Sequence, residues 1–91
     1  MQVKTPQGKA TIFFDAMTTP KNKKYSVYTP TNRLIHFGDR SYPQYKDQAL
    51  GKYKKLDHND PVRRKRYRKR HIGDNYNDPE YPSYYSWNYL W

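Results

Sequence analysis

Apolar and polar positions alternate along this chain in short runs, and no apolar run is long. Residues 10–14 (ATIFF) form the first run, set between polar turn formers. Four or five residues of this kind read as a strand, or as an arm that adds a strand to a partner. Pro20 and the Asn-Lys-Lys stretch after it read as a linker. Residues 25–28 (YSVY) and 33–37 (RLIHF) are two β-prone runs separated by TPTN, where Pro30 and Asn32 favour a turn, so a β-hairpin is predicted. Gly38 and Asp39 end its second strand. Between Pro43 and Gly51 the pattern predicts one or two helical turns.

The clearest local signal is DPVRRKRYRKRH at 60–71. Asp60 is a good N-cap, and Pro61 suits the first helical position, where its missing N–H costs nothing. With Gly73 placed as a stop, the pattern predicts a helix over 61–72. Residues 73–91 contain Pro79 and Pro82 and show no helical periodicity, so they read as an extended tail.

Composition changes this picture in one respect. Leu, Ile, Val and Phe number only thirteen, whereas there are eleven Tyr and two Trp, and the net charge is +10. Few aliphatic residues and a high charge lean toward disorder. Aromatic rings supply the missing apolar area, with a polar handle on each Tyr and Trp. The expectation is one small α+β domain: a hairpin or three-stranded sheet, one basic helix and an aromatic tail strapped across them. Residues 1–24 are expected to be an extended N-terminal arm and 25–91 the folded unit. Trp87, Leu90 and Trp91 are expected to complete a core with Tyr25, Val27, Ile35 and Phe37.

There is no cysteine, hence no disulfide or thiolate metal site. No apolar run approaches the ~20 residues that span a bilayer, so no membrane partner is expected. The first residues lack the apolar stretch and cleavage site of a secretory signal, which points to use inside a cell or inside a particle assembled there.

Charge is uneven: residues 60–71 carry +6, and residues 72–91 carry −3 with no Lys or Arg. Arg63, Arg64, Lys65, Arg66, Arg68, Lys69 and Arg70 repel one another and need counter-charge from the acidic tail, a protein partner or phosphate. They are the candidate anion-binding residues. Tyr84, Tyr85, Trp87, Tyr89 and Trp91 are the candidate partner-docking or core aromatics. His58, between Asp57 and Asp60, invites a metal-dependent nuclease reading that His36 and His71 would complete in space. A turn ending in an N-cap aspartate accounts for the same residues without chemistry. Gly38 alone is no phosphate loop, and nothing has the spacing of a nucleophile–base pair. Neither an enzyme, nor a cofactor, nor a metal is predicted.

The ordered motifs resemble those of a family of small basic proteins of unknown function, encoded by large double-stranded DNA viruses of eukaryotes and by some tailed phages. The residues that carry the resemblance are Ile35, His36, Phe37, Gly38 and Tyr42, then His58, Asp60, Arg63, Arg64, Tyr67, Arg70 and His71, and finally Ser86, Trp87, Leu90 and Trp91. It covers residues 25–91. The family's small residue and Phe before the closing Trp are replaced here by SYYSW. The resemblance implies a viral setting and no particular activity. In that setting the expected function is that of a minor capsid protein, made in the host cytoplasm or nucleus, carried in the virion and bridging larger capsid proteins. The alternative is a nucleic-acid-binding protein that contacts the viral genome.

Overall fold

In the computed structural model, which describes residues 1–91, four short runs pair in chain order into one antiparallel sheet. They are β1 (Gln2–Thr5), β2 (Gly8–Phe13), β3 (Lys23–Tyr28) and β4 (Leu34–Asp39). Two helices follow, α1 (Pro61–His71) and α2 (Pro82–Tyr89), so the fold is α+β.

The expected N-terminal arm is instead half of the sheet. Gln2 lies opposite Thr11 and Thr5 opposite Gly8, while Ile12 of β2 lies opposite Val27 of β3. Ala10 and Ile12 stand two residues apart, so both point to one face and both are buried there. Gly8, at φ 124°, closes the first turn in a conformation that a side chain would oppose. The sheet therefore has four strands where two or three were expected.

The predicted hairpin forms as β3 and β4. Tyr25 faces Phe37 and Val27 faces Ile35, which stacks four apolar side chains on the core side. Asn32 takes the left-handed position of the connecting turn at φ 69°, a conformation asparagine tolerates. The alternate residues of β3 are also buried, and both are polar. Lys24, 1% exposed, donates to the Tyr42 carbonyl and to Gln44 Oε1, and Ser26 bonds to Thr19 and His36.

No helix forms between Pro43 and Gly51. Gln44 and Asp47 act there as buried polar hubs and fix an irregular path. Gln44 Nε2 donates to Asp57 Oδ1 and to the Tyr53 carbonyl. Asp47 accepts from Tyr25 Oη and from the Ala49 and Tyr53 amides. These bonds replace a helical ladder, and only a single 3-10 turn, Lys54–Leu56, follows.

α1 begins as expected. Asp60 accepts from the Val62 and Arg63 amides, with Pro61 behind it, and the helix closes at His71 with Ile72 as C-cap, one residue short of the predicted end. The tail is not extended throughout. Pro82, which reads as a breaker in the sequence, starts α2 at the position that needs no N–H. Glu80 anchors the approach to α2 by accepting from the Thr29 and Thr31 hydroxyls and the Thr31 amide.

α2 delivers Tyr84 and Tyr85 into the core beside Leu90, and Tyr85 Oη donates to the Pro79 carbonyl at 2.7 Å. The Tyr85 ring lies 5.8 Å from Phe37. Trp87, expected in the core, lies outside it, stacked on Tyr76 at 4.2 Å. Trp91 packs against the core's edge. No helix is long and apolar enough to cross a membrane.

Candidate anion-binding cleft

Helical spacing splits the seven cations of α1 into two sets. Arg63, Arg66 and Arg70 line an open cleft of about 690 Å³ between α1 and β4. That volume lies within the range of small-ligand sites, roughly 300–1,000 Å³. Arg64, Lys65, Arg68 and Lys69 lie on the other side of the helix, near Trp87.

The two sets differ in their commitments. Arg64 Nε donates to the Trp91 main-chain oxygen at 2.6 Å, and Arg68 Nη2 donates to the same atom at 3.2 Å. The Arg68 guanidinium also lies over the Trp87 ring, and that of Arg64 over the Tyr45 ring. Burial and then the neighbouring charge of Arg64 lower the Arg68 pKa. These two arginines therefore hold the C-terminal segment against α1. Arg63, Arg66 and Arg70 make no side-chain hydrogen bond or ion pair within the chain.

The acidic tail does not neutralise the helix. Asp74 takes His71, and Glu80 takes the two threonines with Arg33 at 4.0 Å. No Asp or Glu side chain lies within ion-pair distance of any Lys or Arg on α1. The cleft's opposite wall adds Lys23, Lys24 and Tyr42, contributed by strand register and the following loop. Burial pushes the Lys24 ammonium below its ordinary range, against the pull of Asp47, Asp39 and Asp57. Asp39 is the single carboxylate in the lining. Hydrogen bonds from the Ser41 amide and hydroxyl, with smaller help from Lys24 and Lys23, hold its carboxyl below the usual range.

Aromatic rings brace the helical wall. Tyr67 is sandwiched between Trp91, at 4.2 Å, and His71, at 4.3 Å, and burial raises its phenol pKa. Tyr67 is thus a packing residue. Tyr42 is 66% exposed, and its ring is free to receive a planar ligand. His36 and His71 line the same cleft. His58 does not. It packs between Tyr45 and Trp91, accepts from the Asp60 amide, and burial lowers its pKa. No three His, Asp or Glu side chains gather into a metal-ligating group.

The sequence-predicted sites are therefore divided by the fold. Of the candidate docking or core aromatics, Tyr84 and Tyr85 are core; Tyr89 and Trp91 are partly buried against it, and Trp87 is half-buried under Arg68. Of the seven cations, three face the cleft. Many residues that carry the family resemblance meet there, among them His36, Gly38, Tyr42, Arg63, Arg70 and His71, although they come from separate elements. Lys23 was missed, because nothing in its local sequence distinguishes it from other surface lysines. Comparison with protein-family models, with curated proteins and with solved structures finds no match.

Proposed function

We propose that the protein binds single-stranded nucleic acid in the cleft between β4 and α1. The observation that carries this reading is a cleft walled by three arginines without an intramolecular partner, with Lys23 opposite. Phosphates neutralised by such groups release counterions, which gives sequence-tolerant affinity. The exposed Tyr42 ring supplies a face on which a base can stack, a contact worth about 1–3 kcal/mol per base. In the viral setting that the sequence resemblance implies, the ligand is the viral genome or its transcripts.

A minor capsid role is the other reading of that setting. Its two sequence supports were a strand-donating arm at residues 10–14 and a docking tail. Most of the first lies within β2, paired on both sides, and much of the second is core. Nucleic acid is the better supported partner. The test is an NMR titration of the whole chain with a short single-stranded oligonucleotide. Amide shifts confined to α1, β4 and the loop around Tyr42 are expected; an unchanged spectrum, or shifts confined to the β1–β2 side, would reject the proposal.

A further inference from the structure

We infer that this cleft also cleaves RNA, transferring the scissile phosphate to the neighbouring 2′-hydroxyl, with His71 and His36 moving the protons. The inference rests on the reading of the cleft as a nucleic-acid site and names the reaction the site would carry out.

Two imidazoles line the cleft, and each is fixed through the same ring nitrogen. His71 Nδ1 lies 2.6 Å from Asp74 Oδ2, and its ring is braced on Tyr67. His36 Nδ1 lies 2.8 Å from Ser26 Oγ, which lies 2.7 Å from Thr19 Oγ1. Ser26 of β3 and Thr19 of the β2–β3 connection are both buried. Buried hydroxyls are unfavourable without partners, and this pair forms a relay that ends on the His36 ring. No bond within the chain uses Nε2 of either ring, and the His71 side chain is 35% exposed.

Imidazole is the side chain that most readily both takes and gives a proton near neutrality. A carboxylate on Nδ1–H leaves the Nε2 lone pair outward and stabilises the imidazolium that forms on proton uptake. His71, with Asp74 behind it, therefore suits the base. His36, held at Nδ1 by Ser26 and with Nε2 unbonded, suits the acid. The 2′-oxygen attacks phosphorus while its proton passes to His71 Nε2. The bond from phosphorus to the 5′-oxygen breaks, and that oxygen takes the proton of His36 Nε2. The products are a 2′,3′-cyclic phosphate and a 5′-hydroxyl end, with no water or co-reactant consumed. Arg63, Arg66 and Arg70 supply the guanidinium groups that stabilise charge on the non-bridging oxygens. The nucleophile arrives with the substrate, so the cleft needs none of its own. DNA lacks the 2′-hydroxyl and is bound without being cut.

The experiment uses the whole chain, a labelled DNA strand carrying one central ribonucleotide, and the all-DNA strand as control, both with excess EDTA. Cleavage is expected only after the ribonucleotide, leaving a 2′,3′-cyclic phosphate by mass spectrometry, while the control strand stays intact. His36→Ala and His71→Ala should each slow cleavage by at least about 100-fold while strand affinity changes only a few-fold. Binding without cleavage overturns this inference alone, as does cleavage abolished by EDTA or retained at full rate in both variants. Failure to bind the strand overturns the nucleic-acid reading as well.

Discussion

The rings of Tyr67 and Trp91 lie parallel, with centroids 4.2 Å apart and 4° between their planes. This contact ties the middle of α1 to the C-terminal segment, and Arg64 and Arg68 reinforce it through the Trp91 main-chain oxygen. It holds the cationic wall at a fixed distance from the sheet. Trp91→Ala removes the stack and a contact with His58, and truncation of a large aromatic costs up to about 3–5 kcal/mol. Since Trp91 is only partly buried, a loss of roughly 2–3 kcal/mol is expected from urea unfolding. An unchanged midpoint would show that the segment does not brace the helix.

Gly38 lies under the end of the chain. A Cβ there would meet Leu90 Cδ1 at 2.9 Å and Lys24 Cβ at 3.1 Å, and the backbone φ is +80°. Gly38→Ala therefore combines left-handed strain, about 1–2 kcal/mol, with a clash against a buried leucine. A drop of at least about 2 kcal/mol in unfolding free energy is expected. Neutral behaviour would mean that Leu90 is free to move away.

Alkaline pH should unfold the domain through its tyrosines. Burial first, and then the hydrogen bond to Asp47, raises the Tyr25 phenol well above its ordinary 10.0, and burial does the same at Tyr85. Burial also raises Tyr67, Tyr84 and Tyr89. An unfolded chain ionises these phenols near 10.0 while the folded chain holds their protons, so stability is full below that pH and falls above it. Urea unfolding between about pH 8 and pH 11 should show this decline, and Tyr85→Phe should reduce its slope while lowering stability at neutral pH. A tyrosinate absorbance that rises for all eleven tyrosines at one ordinary pH, with the fold intact, would contradict the burial described here.

Local chemistry made part of this molecule legible in its sequence. The Asp60–Pro61 start of α1 and the β3–β4 hairpin follow from caps, turn residues and alternation, and both form. The apolar run at 10–14 read as a strand and most of it is β2, but β1 was hidden, because a polar strand such as QVKT becomes a strand only by pairing with its neighbour. The 43–51 segment looked helical because propensity cannot register that Gln44 and Asp47 bond to residues from 24 to 57. α2 was hidden by Pro82, which breaks a helix in the middle but begins one at the first position. The basic run itself was plain, but the division of its cations between cleft and chain end was not. That division depends on where Trp91 returns, and the presence of His36 and His71 on one cleft depends on packing across 35 residues of sequence.

The central claim is tested most directly by the salt dependence of single-strand binding, with the wild type set against Arg63→Ala/Arg66→Ala/Arg70→Ala. Fluorescence anisotropy with a labelled single-stranded oligonucleotide measures both. Three phosphate contacts predict that log affinity falls with log salt at a slope of about −2 for the wild type. The triple variant should bind at least about tenfold more weakly at low salt, with a slope approaching zero. Binding that ignores salt, or a triple variant with wild-type affinity and slope, would contradict the account.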